Sequence, residues 1–190
     1  VRIESAELLR AHAIEMFDTA VVRGESPSGV RFWCGFSHTT ETTRQPEIHL
    51  VGDAGRIEWH HETACMITPA DGHAELFALP DAFACRDAMF ASVLARLRNP
   101  RAFICTTALA ERHSLFIENV QTAAAVRTLP ASAISWLPDA STQREVPCVR
   151  GLAVALDQAF EQGASLASVF APADSASPFA ETTSQALISP

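Results

Sequence analysis

The chain has 190 residues, 48% of them hydrophobic, with 22 acids against 14 bases and a formal charge of −8. That balance supports a folded core over disorder and disfavours a surface that grips nucleic-acid phosphates, though a local patch can still hold an anionic cofactor. All fourteen bases are arginine, so the absence of lysine excludes a Schiff base, a P-loop lysine and lysine acid–base chemistry.

The opening residues 1–16 fit strand and helix alike. DTAVVRGESPSGVRFWCGFSHTT then reads as two strands joined at SPSG. Ala20 and Val22 share one face of the first strand; Val30, Phe32, Cys34 and Phe36 share one face of the second. PEIHLVGDAGRIEWHHE follows. Here GDAG lacks the glycine spacing of a dinucleotide loop, and the run after it is strand-like rather than helical. A hairpin with GDAG as its turn sets Val51 against Arg56, Leu50 against Ile57, His49 against Glu58 and Ile48 against Trp59. ACMIT is a further strand, PADG a turn, and HAELF extended.

After Pro80 the period changes. Met89, Phe90, Val93, Leu94 and Leu97 form a helical stripe that Asn99-Pro100 ends. RAFICT is strand-like. TALAERHSLFIENVQTAAAVR is a long helix with Leu109, His113, Phe116, Ile117, Val120 and Ala124 on one side. Residues 129–150 read as loop with a short extended piece. GLAVALDQAFEQG is a helix closed by Gly163, and the Ser/Ala/Pro/Thr-rich stretch 171–190 reads as an irregular tail. Strands first and helices second predict an α+β fold: an open, largely antiparallel sheet with helices on one face, in a single domain over 1–170.

Five widely spaced cysteines, Cys34, Cys65, Cys85, Cys105 and Cys148, form no disulfide framework and suit a reducing, cytoplasmic setting. No secretory leader or stretch of about 18 apolar residues is present, so no membrane partner is expected, nor nucleic acid. Candidate pocket residues cluster at strand ends: His38, Asp18, Arg10 and His12. His113, on the apolar stripe, is either a half-buried core histidine or a weaker ligand contact. Cys105 is expected to be buried and inert. Adjacent His60 and His61 point to opposite faces. Glu47, His49, Glu58 and His60 share one face and have the chemistry to hold zinc; cross-strand pairing, at about 0.2–1 kcal/mol each, explains them without an ion. On that ground no metal ligand is assigned, and no catalytic residue.

Three segments carry a resemblance: FDTAVVRGESPSGVRFWCGFSH, PEIHLVGDAGRIEW, and CRDAMFASVLARLRNPRAFICTTALAERHSLFIENVQTAAAVRTLP. Together they resemble the C-terminal domain of the glucose–fructose oxidoreductase / inositol dehydrogenase / rhizopine-catabolism (Gfo/Idh/MocA) family, across residues 17–130. The resemblance implies a substrate-side and assembly domain preceded by a Rossmann domain that binds NAD or NADP. It also implies a sugar- or polyol-like substrate and homo-oligomer contacts through the sheet face. The family's Glu-Lys-Pro and Asp-x-x-x-His motifs are absent, and the chain begins without Met. The expectation is therefore a fragment, inactive alone, with no cofactor site of its own. The alternatives are a non-enzymatic assembly domain and a zinc-binding domain.

Overall fold

The computed structural model describes residues 1–139 and 144–170. In chain order the strands are β1 (Arg2–Arg10), β2 (Thr19–Glu25), β3 (Arg31–Ser37), β4 (Glu47–Gly52), β5 (Gly55–His60), β6 (Ala64–Pro69), β7 (Glu75–Ala78), β8 (Val126–Thr128), β9 (Ile134–Pro138) and β10 (Glu145–Val149). The helices are α1 (Ala82–Arg98), α2 (Thr107–Ala123), α3 (Leu152–Gln162) and α4 (Leu166–Val169). The described residues divide into two compact units, 1–42 with 112–139 and 144–170, and 43–111. The fold is α+β with mostly antiparallel sheets, as the sequence implies.

The first unit is built on the sheet β3-β2-β1-β8. Its pairs are antiparallel except β1 with β8, which run parallel. The expectation of helices on one face is corrected here. Leu8, Ala20 and Val22 pack with Phe116 and Val120 of α2, while Leu9 and Val21 pack with Leu152 and Ala155 of α3 and Leu166 of α4. Successive strand residues point to opposite faces, so the uninterrupted run Ala20–Val22 buries both. The same demand resolves residues 1–16: β1 sends Leu8 and Leu9 into separate apolar clusters, which a strand achieves and a helix does not. Trp33 joins the second cluster and donates its indole N–H to Ala164 O at 2.8 Å. Residues 129–150 carry a second sheet, the antiparallel pair β9–β10. The sequence reading of loop with a short extended piece finds one extended segment there and not the pairing of two.

The second unit holds the antiparallel sheet β4-β5-β6-β7 and helix α1. Strands thus fall into three sheets among the described residues, where the sequence suggests one. The β4–β5 register is the one read from the sequence: Ile48 faces Trp59, His49 faces Glu58, Leu50 faces Ile57 and Val51 faces Arg56. Gly55 sits at φ 138°, and a Cβ there would meet Thr68 O at 2.3 Å, so the turn requires glycine. RAFICT forms no strand; Asn99 Oδ1 accepts from Arg101 N–H and Arg96 donates to Ala102 O, making it a turn between helices. The stripe on α1 is exposed, and no residue of that helix is buried. The 171–190 tail lies outside the described residues. No described helix is long and apolar enough to cross a membrane.

Candidate metal centre

Alternation along β4 and β5 separates two chemistries. One face of the sheet carries Ile48, Leu50, Ile57, Trp59, Cys65, Ile67 and Phe77; the other carries Glu47, His49, Glu58 and His60. Glu47 lies directly across from His60, and His49 is two residues along β4 on the same side. The two-residue turn at Asp53-Ala54 fixes that register.

The Oε2 atom of Glu47 lies 3.5 Å from His49 Nε2 and 3.5 Å from His60 Nδ1. The three ligand atoms all lie within 4.8 Å of one another. Zinc bonds of about 2.0–2.1 Å set at tetrahedral angles put neighbouring ligands about 3.4 Å apart. The two edges to Glu47 are close to that length, and the third is no longer than 4.8 Å. Glu47 is held by a second partner: its Oε1 accepts from Arg44 Nη2 at 2.6 Å. The fourth acid–histidine candidate, Glu58, is taken by an ion pair with Arg56. His61 belongs elsewhere, 3.1 Å from Glu62 and with its ring against Trp59. The sequence finds the shared face but leaves its acids and histidines as simple pairs; convergence of two imidazoles on one carboxylate oxygen becomes visible only with the side chains in place.

The residues singled out at strand ends divide. Asp18 is buried, and its Oδ2 accepts from the Ala11 and His12 N–H groups at 2.7 Å each and lies 3.0 Å from His12 Nδ1. Because that carboxylate accepts, the ring nitrogen facing it, Nδ1, is the donor. Arg10 instead ties down the loop after β1, donating to Thr128 Oγ1 and to the carbonyls of Ile14 and Glu15. His38 contributes a backbone N–H to Asp18 O, with its side chain exposed. His113 is exposed on α2, correcting the half-buried reading; the packed part of that helix is its later turns, at Phe116 and Val120. Behind Asp18 lies a hydroxyl cluster the sequence does not announce: Thr19 Oγ1 is 2.8 Å from Ser37 Oγ and 3.1 Å from Thr39 Oγ1.

Cys105 is exposed, against expectation, because the segment before α2 is an open turn. Burial raises the Cys34 thiol pKa, and also that of Cys148, where the Glu41 carboxylate adds to the rise and Arg150 opposes it.

No protein-family profile, curated protein or solved structure matches this chain.

Proposed function

We propose that the chain is a zinc-binding domain whose ligands are Glu47, His49 and His60. The observation that carries this reading is the convergence of both imidazole nitrogens on Glu47 Oε2 at 3.5 Å. Mixed nitrogen and oxygen donors suit zinc. Two histidines and a carboxylate also suit ferrous iron, but for a given donor set zinc binds more tightly than iron. Calorimetric titration tests the proposal. One zinc binds per chain, and His60→Ala and Glu47→Gln each weaken it at least tenfold; no binding, or affinity unchanged in both variants, overturns it.

A second reading is the one the family resemblance suggests: the substrate-side and assembly domain of an NAD- or NADP-dependent oxidoreductase acting on a sugar, polyol or related hydroxy compound. One observation favours its assembly part. Phe90, Leu94 and Leu97 of α1 are 57%, 62% and 79% exposed, an apolar stripe of the kind that marks contact surfaces, although it lies on a helix and not on the sheet face that the resemblance implies. The reading takes a second copy of the chain as the occupant. The double substitution Phe90→Glu/Leu94→Glu then converts an oligomer to a monomer in light scattering. A wild-type chain that is monomeric at every concentration contradicts it.

A further inference from the structure

We infer that the metal clamps the open end of the β4–β5 hairpin and that its binding folds the β4-β5-β6-β7 sheet, a metal-dependent switch confined to the unit 43–111. The inference rests on the zinc reading and extends it. It starts from where apolar residues are buried. Both apolar clusters among the described residues belong to the first unit. Every residue of 43–111 is described, and the one that is buried is charged, Glu58. Ile48, Leu50 and Phe77 on the apolar face of the sheet are exposed, and α1 buries nothing. Apolar burial is the main term that offsets chain entropy, and below roughly 70–80 residues it seldom suffices without a staple such as a structural metal. The second unit has both the small size and the shortfall in buried apolar surface.

The ligands sit where a staple acts most. In the β4–β5 ladder Gly52–Gly55 is the pair beside the turn, and Glu47–His60 is the pair farthest from it. A hairpin opens from that far end, because the turn holds the other. Among the described residues β4 is also an edge strand, paired with β5 on one side. His60 is anchored differently: it pairs with Ala64 beside the turn between β5 and β6. Binding through Glu47, His49 and His60 therefore ties the loose start of β4 to a held end of β5. Metal-binding energy then enters the folding balance directly, since opening the hairpin separates the ligands.

The test is amide hydrogen exchange of the full chain with and without buffered zinc, alongside calorimetry for the zinc affinity. Without metal, amides of β4, β5 and β6 are expected to exchange faster than those of β1 and β2, whose buried residues pack on both faces. With free zinc at about 100 times its Kd, exchange in β4, β5 and β6 slows about 100-fold, while β1 and β2 change less than about twofold. At the same free zinc, Glu47→Gln loses about tenfold of that slowing. Zinc that binds but slows β4, β5 and β6 by less than about tenfold overturns the inference and leaves the zinc reading standing. So does metal-free protection of these strands equal to that of β1 and β2. Protection that rises with protein concentration alone does the same, because a second copy is then the staple. Failure to bind zinc at all overturns both the inference and the zinc reading.

Discussion

At the scale of single residues, the molecule is held by carboxylates whose partners lie far along the chain. Glu7 accepts from the Leu166 and Ala167 N–H groups at 2.6 and 2.8 Å, and Glu41 accepts from Gly151 N–H. Each satisfies backbone donors at the start of a helix. Nothing in the sequence announces these contacts, because the partners are 159 and 110 residues apart. The Glu47–His60 contact, by contrast, is nearly local, and the turn between the strands makes it legible. The cysteines give a prediction at this scale. Cys148 is buried, whereas Cys85 and Cys105 are exposed. Burial raises the folded-state pKa of Cys34 and Cys148 above the ordinary 9.0. As pH climbs past that value the unfolded thiols ionise while the folded ones keep their protons, so this contribution to stability is full below it and lost above it. Native alkylation followed by peptide mapping is expected to label Cys85 and Cys105 quickly and Cys148 only after unfolding. The alkaline fall in stability should flatten in Cys34→Ala/Cys148→Ala. Rapid native labelling of Cys148 contradicts the burial argument.

At the scale of elements, amphipathic period tells where helices and strands form but not what covers them. The stripe on α1 and the packed turns of α2 look alike in sequence, yet only α2 buries a residue, Val120. The difference is tertiary: the later turns of α2 meet Leu8, Ala20 and Val22, while among the described residues none of α1 is buried. Phe90→Glu/Leu94→Glu should therefore leave the folded chain's stability within about 0.5 kcal/mol per site. Leu8→Ala, at a fully buried position, should cost about 2–5 kcal/mol. Urea unfolding measures both, and a large loss in the α1 variant would mean that the stripe is covered within the chain itself. The strand pairs show the same limit from the other side. The β4–β5 register follows from its turn and alternating faces, but the parallel β1–β8 pair joins Leu8 to Val126 and has no local signal.

At the scale of the whole molecule, the sequence conveys the α+β class and hides the division into parts. Strand-then-helix order suggests one layered domain, whereas contacts group 43–111 apart from the rest. The break at 42/43 falls in HTTETTRQP, a polar stretch that reads equally as an ordinary loop within one domain. Both faces of the first sheet are covered because β1 and β2 carry apolar residues at consecutive positions; in the second sheet β4 and β5 put Glu47, His49, Glu58 and His60 on one face. That face carries the proposed zinc ligands Glu47, His49 and His60. X-ray absorption at the zinc edge of the loaded protein tests this most directly. The account predicts a shell of nitrogen and oxygen at about 2.0–2.1 Å with the scattering signature of two imidazoles. A sulfur shell at about 2.3 Å, or protein that retains no zinc, contradicts it.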